Sequence, residues 1–234
     1  MFKNLVITHQ MDANETEIIP IFSASDDEND QNIKDDIPSE LPILALKNTV
    51  LFPGVVIPIT VGRSRSVKAV NEAFESDKLI AVFSQKDIQI EDPTEGELYK
   101  IGSVARIIKI LKMPDGSTTA ILQGRQRCQL VNLSQDNPFL KGEIAQLPMN
   151  SNDSLEFKAT ISSIKDMAKK IIDLSPQIPQ DAAMMLNNIS NDGFLLNFIA
   201  SNLNAKVKQK QEILNINDIS EKANKILAKI NSEL

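Results

Sequence analysis

The sequence predicts an α+β fold, in which a small closed or nearly closed β-structure with one helix is followed by a bundle of helices. Three observations predict it. Residues 41–150 consist of short β-rich runs separated by turn residues. Near residue 150 the apolar spacing changes from the period of a strand to that of a helix. Residues 1–40 contain only isolated apolar pairs, so we expect them to be disordered. The expected units are therefore 1–40, 41–150 and 151–234.

Residues 1–40 also carry the acidity of the chain, whose net charge is −6 over 234 residues. Residues 12–40 hold ten acids and one lysine, whereas residues 41–234 hold 21 acids and 23 bases. The leader is interpreted as a solvating segment, and a functional acidic tail is the alternative. No apolar run approaches the ~20 residues that cross a bilayer. Without a signal peptide, and with Cys128 as the only cysteine, the chain is expected to be cytoplasmic.

The β-region opens with the strand "ILALK", which the turn Phe52-Pro53-Gly54 ends. Proline fixes φ and glycine tolerates positive φ, so this tripeptide is a turn with a physical basis. The strand "VVIPITV" follows, and its Pro58 cannot donate to a ladder. We therefore expect this strand to lie at an edge or to carry a bulge.

One amphipathic helix follows in "GRSRSVKAVNEAFESDK", with Ser66 as its expected N-cap. "LIAVFSQ" is a buried strand, and "SVARIIKILKMPDGSTTAILQG" is a hairpin that turns at Pro114-Asp115-Gly116. "RCQLVNLSQ" and "FLKGEIAQLP" complete a set of about six or seven strands. Successive short strands of this kind favour a closed or nearly closed β-structure over a parallel sheet.

Residues 151–234 read as helices. The first is about 20 residues long, begins at Asp153 or Ser154, ends at Ser175-Pro176, and is expected to bury Leu155 and Leu174 on its apolar face. Three shorter helices follow in "QDAAMMLNNI", "DGFLLNFIASNL" and "KVKQKQEIL". The last stretch, "NDISEKANKILAKINSEL", keeps its apolar spacing to the final residue, which suggests a chain cut from something longer.

No catalytic, cofactor or metal site is expected. His9 is the only histidine and lies in the leader, so neither a Ser-His-Asp triad nor a common zinc site can form with Cys128. Cys128 lies in strand-like sequence and is interpreted as a small buried apolar residue. The phosphate-binding motif G-x-x-x-x-G-K-[ST] and the nucleophile motif G-x-S-x-G are missing. These observations disfavour an enzyme.

Two binding functions remain. RNA binding needs a concentrated basic surface and exposed rings, yet residues 41–150 hold 13 bases and 11 acids. Protein binding is favoured, with substrate contacts expected at Leu51, Phe52 and Pro53 and tuned by Arg63 and Arg65. The alternative is that Leu51 and Phe52 fold back into the core. An open strand edge beside Pro58 is a further place where an extended peptide can pair.

Three motifs resemble one known family. "LPILALKNTVLFPGVVIPITVGRSRSVKAV" looks like the opening of the N-terminal domain of Lon, the ATP-dependent serine protease. "GSVARIIKILKMPDGSTTAILQGRQR" is similar to its second signature, which ends in E-G-x-x-R, with Ser117 where threonine is usual and Gln123 in place of glutamate. The helical half keeps the family's K-Q-x-I-L, whereas Gln180-Asp181 stands where Pro-Glu is common. The matching residues of the first motif are Pro42, Leu46, Lys47, Val50, Phe52-Pro53, Pro58, Val61-Gly62-Arg63 and Ser66.

This resemblance implies a PUA-like β-domain and a helical bundle that leads into an AAA+ ATPase and a Ser-Lys protease domain. The sequence contains neither catalytic part, so ATP and magnesium would bind elsewhere in the parent protease. The implied role is to capture unfolded or degron-bearing proteins and to support a hexamer of protease protomers. A free-standing PUA-like module that binds RNA or protein is the alternative.

Overall fold

The computed structural model describes residues 7–8, 18–19, 37–114, 116–174 and 181–232. The strands are β1 (Ile7–Thr8), β2 (Ile18–Ile19), β3 (Glu40–Leu46), β4 (Val56–Val61), β5 (Leu79–Ser84), β6 (Ile101–Lys112), β7 (Thr118–Gln135) and β8 (Lys141–Leu147). The helices are α1 (Ser64–Glu75), α2 (Leu155–Asp173), α3 (Asp181–Asn188), α4 (Asp192–Asn202), α5 (Val207–Asn215) and α6 (Ile219–Asn231), with a 3-10 turn at Glu95–Glu97. These elements confirm a mixed α+β fold.

The leader contributes β1, β2 and residues 37–40 to this description, and its last residue, Glu40, begins β3. Ile7 pairs with Ile19, and Thr8 pairs with Ile18, in an antiparallel register. The expected disorder of the leader otherwise concerns residues that lie outside the described ranges.

The six longer strands form one sheet in the order β4-β7-β6-β5-β3-β8. Only β3 and β5 pair in parallel, through residues 43–46 and 81–84. Because β7 also pairs with β8, the pairing runs from β7 through β6, β5, β3 and β8 back to β7. Strand β4 lies outside this ring and pairs with β7. The edge position expected for Pro58 is therefore confirmed.

Strand β7 is one strand of 18 residues where the sequence predicts two. Its first part pairs with β4 and β6, and its second part pairs with β8. Gly124 lies where the sequence pattern appears to break, and a Cβ there would come within 2.3 Å of the Phe52 carbonyl oxygen. The glycine therefore marks a close approach of another backbone within a continuous strand.

The faces of β3 explain why its sequence is apolar without alternation. Leu41, Ile43 and Ala45 enter one hydrophobic cluster, whereas Leu44 and Leu46 enter a second cluster with residues of α1. A strand that is covered on both faces has no solvent side for polar residues.

Helix α1 begins at Ser64, two residues before the N-cap expected at Ser66. Arg63 is the N-cap residue, with an extended backbone, and its carbonyl accepts from the Val67 N–H at 2.9 Å. Ser66 therefore lies inside the helix, because the chain already turns at Gly62-Arg63. The expected N-cap is wrong.

The helices from α2 to α6 follow the sequence-based expectation closely. Ser154 is the N-cap of α2 and accepts from the Phe157 N–H at 3.2 Å. The side chain of Asn152 donates to Ser220 Oγ at 2.7 Å, which joins the N-terminal ends of α2 and α6. Leu155 and Leu174, expected on the apolar face, are instead 87% and 75% exposed.

The largest hydrophobic cluster spans both parts of the fold. It contains buried residues from α2, α4, α5 and α6 together with Val50, Phe52 and Val55 of the β-region. The change from strand to helix falls between Leu147 and Leu155. The division into domains at residue 150 remains a prediction, and the β-region and the helices share one core.

Candidate functional site

Arg63 and Arg65 lie together in a shallow surface cleft. Its other lining residues are Ile43, Ala45, Ser66, Glu91, Asp92, Pro93 and Leu140. The floor is apolar and the rim carries both charges. The lining includes the carboxylates of Glu91 and Asp92 but no histidine or cysteine.

Arg63 holds three parts of the fold together. One guanidinium nitrogen donates to Gln85 Oε1 at 2.8 Å and to the Glu91 carbonyl at 2.7 Å, and the other donates to the Ala45 carbonyl. Burial lowers its pKa, and the carboxylates of Glu91 and Asp92 oppose that change. These bonds give Arg63 a structural role at the start of α1.

Arg65 and Lys47 are paired with acids at the rim. Arg65 donates to Asp136 and lies 3.5 Å from Asp92 Oδ1, while Lys47 Nζ lies 2.5 Å from Glu91 Oε1. The hydrogen bond from Lys47 is the largest cause of the lowered pKa of the Glu91 carboxyl. Exposed pairs of this kind contribute little to stability, because solvent screens them. The rim thus combines charges of both signs, and a basic surface for nucleic acid is not formed there.

The structure decides between the two alternatives for Leu51 and Phe52 in favour of the core. Leu51 is 3% exposed and Phe52 is 0% exposed. Adjacent residues of an extended chain point to opposite sides, so Leu51 packs in the cluster under α1 while Phe52 packs among the helices. Neither side chain offers a surface to a substrate. Substrate contact by Pro53, Arg63 and Arg65 remains a prediction.

The turn that contains Phe52 is a docking point for the helices. Gly54 has φ +81°, and its N–H donates to the Gly124 carbonyl at 2.8 Å. A Cβ at Gly54 would lie 2.5 Å from Cδ2 of Phe194, so the glycine allows α4 to approach. Asn197, also on α4, donates from Nδ2 to the Pro53 carbonyl at 3.1 Å.

Arg127 makes the second connection between the β-region and the helices. It is 1% exposed and donates to the carbonyls of Leu214 and Ile216 and to Asn217 Oδ1, each at 2.8 Å. These carbonyls lie at the C-terminal end of α5, where a cation is favoured by the helix dipole. Burial lowers the pKa of the Arg127 guanidinium.

Gln211 of α5 adds a third connection, since its Nε2 donates to the Ile101 carbonyl at 2.6 Å. The sequence reasoning did not select Arg127 and Gln211 as functional residues. Both residues belong to motifs that are visible in the sequence, since Arg127 ends the E-G-x-x-R-like motif and Gln211 lies in K-Q-x-I-L. Motifs far apart in the chain therefore meet at one junction.

Lys222 lies at the centre of this junction. It is 0% exposed, donates from Nζ to Asn197 Oδ1, and places that nitrogen 5.5 Å from the centre of the Phe52 ring. Among the buried polar side chains of the described ranges there is no carboxylate to balance it. Burial, and secondly the charge of Arg127, lower its pKa to about 7.

This buried lysine predicts a pH dependence of stability. Between pH 7 and the ordinary lysine pKa of 10.5, the unfolded chain binds a proton that the folded chain does not. The free energy of unfolding should therefore rise with pH, by about 1.4 kcal/mol per unit, between about pH 7 and pH 10. Below pH 7 both states are protonated, and this contribution becomes constant.

The test is urea denaturation between pH 6 and pH 9.5. Lys222→Met should remove the rise, because methionine fills similar space without a charge, and should be more stable than the parent chain at pH 6. Lys225→Met is the matched control, since Lys225 lies on the same helix, is exposed, and pairs with Glu212 at 3.7 Å. An unchanged slope in Lys222→Met would contradict this account of the junction.

Apolar surface is found away from the predicted turn. The exposed large apolar side chains of the described residues are Ile88, Ile108, Val131, Leu155, Leu174 and Met184. Leu174 directly precedes residues 175–180, and Met184 of α3 follows them by four positions. The sequence reasoning assigned Leu174 to the core, because its spacing matches that of the buried residues.

Neither a metal-binding cluster nor a membrane-spanning helix is present among the described residues. No group of three or more histidine, cysteine, aspartate or glutamate side chains is placed to hold a metal ion. None of the helices described is long and apolar enough for a membrane span.

Comparison with solved structures shows which fold this is. The N-terminal domain of Mycobacterium avium complex Lon protease aligns with a TM-score of 0.70 and 19% identity, covering 83% of this chain and 100% of that chain. The Lon N-terminal domain protein from Xanthomonas campestris aligns with a TM-score of 0.59 and 18% identity, covering 82% and 98% of the two chains. At these identities the likeness concerns the fold.

Comparison of sequences gives the family. Lon protease of Flavobacterium johnsoniae is 44% identical over 223 residues, which are 94% of this chain and 27% of that protein. Lon protease of Cytophaga hutchinsonii is 38% identical over 96% of this chain and 28% of its own length. The chain thus spans about a quarter of the curated relatives it matches. The model of the "ATP-dependent protease La (LON) substrate-binding domain" matches residues 40–232. The chain therefore belongs to the family of Lon substrate-binding domains.

Proposed function

We propose that residues 41–234 recognise unfolded or degron-bearing proteins and deliver them to the ATPase and Ser-Lys protease parts of a longer ATP-dependent protease. The match of residues 40–232 to a substrate-binding domain carries this proposal. The relatives are proteases of about four times the matched length, which supports a longer parent protein. In that protein, ATP and magnesium would bind outside this chain.

We further propose a PUA-like identity for the β-region, as a small barrel, and a bundle identity for the helices. The ring of strand pairing from β7 back to β7 supports the first label. The shared apolar cluster of α2, α4, α5 and α6 supports the second. The parent protease is proposed to be a cytoplasmic hexamer that this chain helps to stabilise. Six weak sites around one assembly would raise the effective concentration of substrate.

The apolar contacts to substrate are assigned to Leu174 and Met184 in place of Leu51 and Phe52. Their side chains are 75% and 69% exposed and flank the same connection. Leucine and methionine are flexible, and methionine in particular adapts to varied partners. A contiguous exposed apolar patch is a mark of protein recognition, and these two side chains are proposed to belong to one patch. RNA binding is not favoured, since the basic rim residues are paired with acids.

The test is binding of a fluorescently labelled, cysteine-blocked unfolded protein to the full chain, followed by anisotropy. The double substitution Leu174→Ser and Met184→Ser should weaken binding about tenfold, because apolar area is lost from the contact. Leu155→Ser is the matched control, since Leu155 is exposed at the opposite end of α2. Equal losses in both variants would contradict the assigned surface. Failure of the parent chain to bind any unfolded protein would contradict the proposed function.

A further inference from the structure

Strand β4 presents one side of its backbone to solvent or to a partner. It is the terminal strand of the sheet order, and its pairing in the described residues is with β7. The Val55 carbonyl accepts from the Gly124 N–H at 2.9 Å, so this carbonyl points toward β7, while the Val55 N–H donates to the Phe52 carbonyl at 3.2 Å. In an antiparallel ladder these directions alternate. The backbone hydrogen-bonding groups of residues 57, 59 and 61 therefore point toward β7, and those of residues 56, 58 and 60 point away from it.

The outward groups define what this edge offers to a partner. Thr60 presents one N–H and one carbonyl and Pro58 presents a carbonyl alone, whereas Val56 is 3% exposed, so its outward groups are not open to a partner. The side chains of Pro58 and Thr60 are exposed, while those of Ile57 and Ile59 are half-buried against the core. The edge is thus short, accessible at its centre, and lacks one donor of a full row.

We propose that the open edge of β4 binds an extended segment of a substrate polypeptide as an added strand, through main-chain hydrogen bonds to Pro58 and Thr60. This inference rests on the proposed function and specifies how the chain contacts its substrates. Main-chain pairing does not depend on side-chain identity, so it suits a domain that must accept many unfolded sequences. The missing donor at Pro58 keeps the pairing weak, which allows a substrate to be released.

The central test changes the outward donors and nothing that points toward β7. Thr60→Pro removes one outward N–H and should weaken binding of the labelled unfolded protein about fivefold, as expected for one net hydrogen bond. Thr60→Val is its matched control, because it keeps the N–H and alters only the exposed side chain, and it should bind as the parent chain does. Pro58→Thr restores the missing donor and should tighten binding about fivefold.

A second probe tests the same bonds from the side of the ligand. An extended peptide that binds the parent chain should lose its affinity when alternate residues are N-methylated in the register that faces β4. Thermal unfolding of each variant checks its fold. If Thr60→Pro does not fold, Pro58→Thr and the methylated peptide still decide the question.

The outcomes distinguish failure of the edge proposal from failure of the proposed function. If the parent chain binds unfolded protein but neither Thr60→Pro nor Pro58→Thr changes the affinity, the edge proposal is overturned and the function stands. If Pro58→Thr forms dimers without tighter substrate binding, the edge pairs with a second copy, and the proposal is also overturned. Tighter binding of the parent chain after removal of residues 1–36, with no effect of Thr60→Pro, would overturn it in favour of a site covered by the leader.

Discussion

Replacing Phe52 with alanine is expected to lower the free energy of unfolding by about 3–5 kcal/mol. The ring is fully buried among residues of the helices, so its removal leaves a cavity in the cluster that joins the two parts of the fold. The loss also removes the aromatic face near Lys222 Nζ, 5.5 Å from the ring centre. Urea denaturation followed by circular dichroism measures the change.

Phe74→Ala is the matched control for Phe52. Phe74 is half-buried on α1, where Lys78 Nζ lies 5.1 Å from its ring centre. Because less apolar area is lost, its cost should be clearly smaller. If Phe52→Ala lowered the free energy of unfolding by less than about 1 kcal/mol, the effect would be too small for a buried phenylalanine. Phe52 would then be an exposed contact residue.

Replacing Arg127 with methionine is expected to cost about 2–4 kcal/mol. The substitution leaves the Leu214 and Ile216 carbonyls without their buried donor, and unsatisfied buried acceptors cost about 1–3 kcal/mol each. Relief of the buried charge offsets part of that cost. The pKa of Lys222 should rise at the same time, because Arg127 is one of the two causes that lower it.

The control for Arg127 is Arg125→Met, the same substitution two residues away on β7, where the arginine is half-buried. Denaturation of both variants at pH 6 and pH 9 measures stability and its pH dependence together. If Arg127→Met were as stable as Arg125→Met, the junction would not depend on this guanidinium. The three hydrogen bonds would then have no net stabilising value.

The elements of this fold were predictable because each depends on local pattern. The turn at Phe52-Pro53-Gly54, the edge position of Pro58 and the N-cap at Ser154 follow from what proline, glycine and serine do to a backbone. The helices from α2 to α6 follow from apolar spacing. The errors at Ser66 and in β7 also have local causes, since two serines stand near the start of α1 and Gly124 resembles a strand break.

The junction could not be predicted, because its contacts are long-range and use unusual residue types. Arg127 and Leu214 are 87 positions apart, and Asn197 and Pro53 are 144 apart. Lysine and arginine are rarely fully buried, so composition argues against Lys222 and Arg127 as core residues. Adjacent apolar residues such as Leu51 and Phe52 give no local sign of which cluster each one enters.

We propose that the motif residues Phe52, Arg127 and Gln211 hold the two parts of the fold together, while substrate polypeptide binds on open surface. Amide hydrogen exchange of the full chain, with and without a saturating unfolded protein, tests this claim most directly. With substrate bound, we expect slower exchange at Thr60 and around Leu174 and Met184, with no change at Gly54. New protection confined to residues 51–54, with none along β4 or the α2–α3 connection, would contradict it.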